Sequence, residues 1–158
     1  MNKFKIAMGS LAGIGFLPGA PGTWASFLCL FIIYPVGVRF GLEGLLTLIL
    51  AGSALSIWAA EACEAKWGED PSVFVLDEFA GQSVVFLFTG FSEVLLNDLL
   101  ILSGGFLLFR IFDVLKPFGI NRLQHLPSGF GILLDDLLAG FYALLILHTT
   151  IFIVSIFL

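Results

Sequence analysis

Apolar residues run along this chain in five stretches, parted by charged or Gly/Pro-rich breaks. The first, about Ser26 to Val38, is short for a membrane span, which needs about 20 residues at 1.5 Å each. The second is Leu45 to Ala60. The third, Phe79 to Phe91, is again short, although the apolar run Val73 to Leu76 precedes its acidic pair. For both short stretches tilt or incomplete crossing stays open. The fourth, Val94 to Phe112, is interrupted by Asn97 and Asp98, and Leu137 to Leu158 carries no Asp, Glu, Lys or Arg at all. That last stretch is a membrane-crossing helix by length and composition. His148 falls inside it, and a lone polar residue there is more often a packed side chain than a ligand. The pattern predicts an all-α fold, a polytopic membrane helical bundle formed by one domain over residues 1–158.

Composition sharpens this. Apolar residues make up 59% of the chain and charged residues 12%, about half the charged share of a soluble domain. Twelve acids and seven bases do not cover a water-facing surface, so the apolar surplus faces lipid. The net charge of −5, with scattered bases, excludes nucleic acid as a partner. Cys29 and Cys63 have no metal-type spacing and read as small packing residues. The N-terminal stretch has two lysines and an apolar run, but Gly9, Gly13 and Gly15 break it and no small-residue cleavage site follows. It reads as a retained element on or partly in the membrane.

If each stretch crosses once from a cytoplasmic N-terminus, Lys3, Lys5, Lys66, Arg110, Lys116 and Arg122 lie inside and Arg39 alone outside. This is a strong positive-inside bias. The same topology puts Glu61, Glu64, Glu69, Asp70, Asp77, Glu78, Asp113, Asp135 and Asp136 on the cytoplasmic face. Positive-inside says little about acids, so their gathering there marks a candidate site at the cytoplasmic helix ends.

Two adjacent pairs stand out. Asp77-Glu78 opens the third stretch and Asp135-Asp136 the fifth, each embedded in apolar sequence. Helix capping is the plain alternative, since acids near an N-terminus gain about 0.3–1 kcal/mol from the macrodipole. Capping needs one acid, however, and neighbouring carboxylates repel as they lose solvent. A divalent cation removes that cost. Asp113 ends the fourth stretch, where the helix dipole disfavours an acid. Arg110 and Lys116 each stand three residues from it, which suits either an intrahelical ion cluster or a metal ligand with two phosphate-holding bases. The donors are all hard oxygens, so Mg²⁺ is favoured over Zn²⁺. Carboxylate-held Mg²⁺ beside bases suits phosphoryl chemistry. In GIGFLPGAPGTWAS, a tight loop could expose backbone N–H groups around Gly22, with Thr23 and Ser26 as hydroxyl donors; a plain turn into the membrane fits that composition equally.

Several phosphatase chemistries are absent. No C-x5-R loop and no DxDx[TV] run occurs, and LPSGFG has Phe130 where acid-phosphatase-like lipid phosphatases carry histidine. The CDP-alcohol phosphotransferase pattern is missing too. What remains is an ordered set of four blocks: GFLPGAPGTWAS, DPSVFVLDEFAGQ, FRIFDVLKPFGI and GFGILLDDLLAG. Together, over about Gly13 to Gly140, they resemble the phosphatidylglycerophosphatase A family, with Ala25 where many relatives carry glycine. The resemblance implies Mg²⁺-dependent hydrolysis of phosphatidylglycerophosphate to phosphatidylglycerol and phosphate on the cytoplasmic side of the bacterial inner membrane. It places the family's acidic positions on Asp70, Asp77, Glu78, Asp113, Asp135 and Asp136. Asp77, Glu78, Asp113, Asp135 and Asp136 would hold one or two Mg²⁺ ions, and Asp70 is a candidate general base. Arg110, Lys116 and the Gly22–Thr23–Ser26 loop would hold phosphate, with no protein partner required beyond the phospholipid substrate. A small ion- or proton-coupled carrier is the alternative, although carriers place polar groups near the midplane; a non-catalytic assembly factor is a third.

Overall fold

The computed structural model describes residues 2–123, 126 and 129–157; Pro127 and Ser128 of the LPSGFG stretch lie outside these. Helices form every regular element among the described residues: α1 (Asn2–Gly9), a 3-10 turn (Ile14–Phe16), α2 (Pro21–Trp67), α3 (Leu76–Val85), α4 (Leu95–Leu115), α5 (Ile120–Leu123) and α6 (Phe130–Phe157).

Helix α2 absorbs the first two apolar stretches. Pro21 stands in its first turn, where a missing N–H costs nothing and the fixed φ suits a helix. Straight, its 47 residues would reach about 70 Å. Yet the Phe16 ring, five residues before α2 begins, lies 5.9 Å from the Trp67 ring at the end of α2. The helix therefore folds back on itself, at Gly41, whose φ of 54° and ψ of −137° suit a residue without Cβ. Residues 21–40 and 42–67 form two antiparallel arms, so the break that parted the two apolar stretches is a turn.

Helix α3 departs from expectation. The predicted stretch Phe79–Phe91 becomes a helix that starts earlier, taking in Asp77 and Glu78, and ends at Val85. At ten residues it rises about 15 Å, half the hydrocarbon thickness. All its residues except Phe79 are buried, which explains the unbroken apolar run without a lipid-facing side. The chain continues irregularly to α4, and the fully buried Asp98 pins it. Its carboxylate accepts from Ser92 N (2.9 Å), Ser92 Oγ (3.0 Å), Glu93 N (3.0 Å) and the Tyr34 hydroxyl (3.0 Å). Buried irregular backbone is tolerated when such partners satisfy it.

Helix α4 matches the fourth apolar stretch closely. Helix α6 begins seven residues before the expected Leu137, so Asp135 and Asp136 stand within it. Ile33, Leu45, Val85, Phe86, Leu102, Phe109 and Leu147 form the main core. Ala59, Cys63, Phe74, Leu76 and Ile132 form a second cluster towards the acidic end. Outward faces carry Phe31, Leu50, Leu100 and Phe152, all well exposed, the reverse of a water-soluble surface. Helices α2 and α6 are long and apolar enough to cross a membrane. Both cysteines are free and buried. Helix α1 rests on the second arm of α2, with Lys5 3.3 Å from Glu61 and the Phe4 ring 6.0 Å from Trp58. His148 takes no part in the acidic end; its Nδ1 lies 3.1 Å from its own helix's Leu144 carbonyl.

Candidate active site

Asp77 and Glu78 occupy the first turn of α3, but the flanking Val75 makes no side-chain cap. Asp135 and Asp136 stand beyond the first turn of α6, which holds no acid. The macrodipole that favours acids in a first turn thus suits Asp77 and Glu78 but does not reach Asp135 and Asp136. Two glycines bring the pairs together. A Cβ on Gly140 would lie 2.2 Å from the Gly81 carbonyl oxygen, and one on Gly81 would lie 2.6 Å from the Asp136 carbonyl oxygen. The α3 and α6 backbones touch at this crossing, as small residues permit. Asp77 stands one turn before Gly81 and Asp136 one turn before Gly140, so the same crossing sets both acids.

Helix α4 supplies the bases. The Arg110 guanidinium pairs with Glu78 and, at 3.0 Å, with Asp113, joining α3 to α4. Ser26 of α2 completes the knot. Its hydroxyl donates to the Glu78 carboxylate and stands 2.9 Å from the Gly22 carbonyl, while Arg110 donates to it at 3.3 Å. Gly22, Thr23 and Ser26, expected in a tight loop, stand instead in the first turns of α2; a Cβ on Gly22 would fall 1.6 Å from Glu78 Oε1, so the helix start admits the carboxylate because it has no side chain there. Lys116 ends α4 in a left-handed conformation (φ 44°) and pairs with Asp135 of α6.

These residues surround one cavity of about 220 Å³, lined by Asp70, Asp77, Glu78, Asp113, Asp135, Asp136, Arg110, Lys116 and the 20–22 segment, with Ser72 and Ile132 among the others. Each predicted acid and both predicted bases reach it. Gly22 does so directly and Ser26 acts from behind Glu78. Thr23 is half-buried beside them and does not line the cavity. Asp70 is exposed at its rim. Sequence reasoning passed over Ser72 and Ile132; Ser72 stood in the block between Asp70 and Asp77, where its hydroxyl could have been noticed.

Six carboxylates face two bases here, an excess of negative charge that a phosphate would not approach unaided. Burial raises the Asp77 carboxyl well above its ordinary range, reinforced by the nearby Glu78 and Asp135 charges. Glu78 is raised to about 7, chiefly by burial, with Arg110 opposing and Asp113 reinforcing the shift. A hard divalent cation suits this chemistry. The donors are carboxylate oxygens, and Oδ1 of both Asp77 and Asp135 is buried with no hydrogen-bond partner. Among the described residues no three candidate ligands are already drawn onto one point. Glu78, Asp113 and Asp135 are instead engaged by Arg110 and Lys116. The fit is thus one of donor type and shared cavity.

Comparison with known proteins agrees with the motifs. The family model described as Phosphatidylglycerophosphatase A matches residues 7–151. A Bacteroides thetaiotaomicron protein named "Putative phosphatidylinositol-3-phosphatase" is 34% identical over 148 residues, covering 90% of each chain. A Haemophilus influenzae phosphatidylglycerophosphatase A is 34% identical over 140 residues, 85% of this chain and 80% of that protein. The Escherichia coli phosphatidylglycerophosphatase A is 28% identical over 131 residues, 81% and 72% respectively. No solved structure matches the chain.

Proposed function

The chain belongs to the phosphatidylglycerophosphatase A family and is a phosphatase; on that premise we propose that it hydrolyses phosphatidylglycerophosphate to phosphatidylglycerol and phosphate, with Mg²⁺, at the cytoplasmic face of a bacterial inner membrane that it crosses several times. One observation carries this reading: carboxylates from α3, α4 and α6 and the bases Arg110 and Lys116 share a single cavity.

Asp77, Glu78, Asp113, Asp135 and Asp136 would hold Mg²⁺, which when bound offsets phosphate charge and acidifies water. Arg110 and Lys116 then exchange part of their pairing with Glu78, Asp113 and Asp135 for the terminal phosphate oxygens. A carboxylate at the rim, for which Asp70 is placed, takes the proton from the attacking water. The new P–O bond forms in line as the bond to the glycerol oxygen breaks; that oxygen takes a proton from solvent as it leaves, the rim carboxylate returns its own to solvent, and no covalent intermediate forms. The Ser26 hydroxyl and the bare Gly22 backbone keep Glu78 in the cavity wall while Arg110 turns part of its pairing to the phosphate.

The test is phosphate release from phosphatidylglycerophosphate by the purified protein, first with Mg²⁺ and then with chelator. Release that survives thorough chelation removes the metal from the reading, and no release under either condition removes the substrate. Because the Bacteroides relative is named for a phosphoinositide, phosphatidylinositol 3-phosphate belongs in the same assay. A higher kcat/KM for it would reassign the headgroup while leaving the phosphatase chemistry intact.

A further inference from the structure

Two exposed apolar segments run directly into the cavity lining. Phe16 and Leu17 precede the lining residues Ala20, Pro21 and Gly22, and Trp24 follows them; Phe118 stands two residues beyond the lining Lys116. Phe16 is 56% exposed, Leu17 40%, Trp24 48% and Phe118 82%. We propose that these four side chains form an apolar collar that seats the cavity mouth in the interface of a phospholipid bilayer, so that a lipid phosphomonoester reaches the site from the membrane.

The collar is fixed in place. Phe16 packs edge-on against Trp67 at 5.9 Å. Phe118 lies 6.2 Å from Tyr142, whose hydroxyl donates to the Phe118 carbonyl at 3.2 Å. The Phe118 backbone takes φ 53°, a left-handed conformation unfavourable for a residue with a Cβ. The chain thus holds a strained phenylalanine outward instead of burying it. In water these rings leave apolar surface exposed; within the acyl boundary that surface is buried.

Behind the collar Arg110 and Lys116 stand among six carboxylates, so an anionic head is received there together with the cation of the proposed function, while the apolar rim matches the acyl part of a lipid. The surrounding residues agree. Lys5 lies over the Trp58 ring at 5.2 Å and Lys66 over Trp67 at 4.2 Å. Bases and indoles together are typical of the membrane–water boundary.

This inference deepens the proposed function and rests on it for the identity of the head group. Full-length Leu17→Asp and Phe118→Asp proteins would be compared with wild type on two substrates. One is long-chain phosphatidylglycerophosphate in phosphatidylethanolamine/phosphatidylglycerol vesicles; the other is a short-chain analogue dispersed as monomers. The collar requires a fall of about tenfold or more, equivalent to 1.4 kcal/mol, in vesicles only. Equal turnover in vesicles, or the same loss on both substrates, overturns it. A second measurement needs no catalysis. With Trp58→Phe and Trp67→Phe, Trp24 remains the sole indole, and lipids brominated near the glycerol should quench its fluorescence. Unquenched Trp24, whether facing water or covered by a second copy of the chain, overturns the collar even if phosphatase activity is intact. Quenching in a protein that releases no phosphate from phosphatidylglycerophosphate would uphold the collar and reject that substrate.

Discussion

Asp113 shows how much depends on a single side chain. It sits where a helix dipole disfavours an acid, and only its contact with Arg110 and its place on the cavity wall explain it. Asp113→Asn keeps the shape and removes the charge. Phosphate release should drop by roughly 100-fold or more while membrane insertion and the unfolding temperature hold; near-normal turnover would take Asp113 out of the site. Gly22 is the complementary case, because it acts through what it lacks. Gly22→Ala forces Glu78 away from Ser26 and Arg110, since its Cβ would otherwise overlap the carboxylate. An activity loss of about tenfold with little change in thermal stability is expected. Wild-type kcat in this variant would show that Glu78 need not stay beside Arg110. The sequence marked both positions through their blocks, but the knot of Ser26, Glu78 and Arg110 joins residues 84 apart in the chain, which no local pattern encodes.

Among the elements, α3 was the least legible. A fully buried half-length helix leaves the same apolar run as a lipid-facing span, and the pinning of the following loop by Asp98 cannot be read without knowing that Tyr34 lies opposite. The α3–α6 crossing gives the sharpest test at this scale. Gly140→Ala drives a methyl group into the Gly81 carbonyl and should cost about 1–3 kcal/mol. The unfolding temperature in detergent should fall together with activity, because Asp77 and Asp136 move with the helices. Gly104→Ala is the control: its Cβ would lie 3.7 Å from Leu147, an ordinary contact, so stability should hold. If both variants behave alike, the tight crossing does not order the site.

Across the whole molecule, the hairpin in α2 returns the chain to its starting end, so the turn at Gly41 and the acidic cavity stand at opposite ends. Glu43 and Glu69, both exposed, therefore report on opposite faces of the proposed membrane. Because the native cysteines are buried, single cysteines introduced at these positions can be labelled over a quiet background. In intact cells with a permeabilised outer membrane, an impermeant maleimide should label position 43 and spare position 69 until the inner membrane is opened. Labelling of 69 first would invert the orientation. Apolar excess and the distribution of bases point to this arrangement on their own, because lipid imposes its demands residue by residue along the chain.

Local composition and short ordered blocks suffice for the helical class, the surplus apolar surface and the family, and they single out the acids that line the cavity. Folding alone makes two apolar stretches the arms of one bent helix, buries α3, and sets Thr23 off the cavity while Ser26 supports it from behind. Those outcomes depend on backbone approaches such as Gly81 to Gly140 and on pairings between distant residues. Their energies arise only once the chain has closed on itself, so no stretch of sequence contains them.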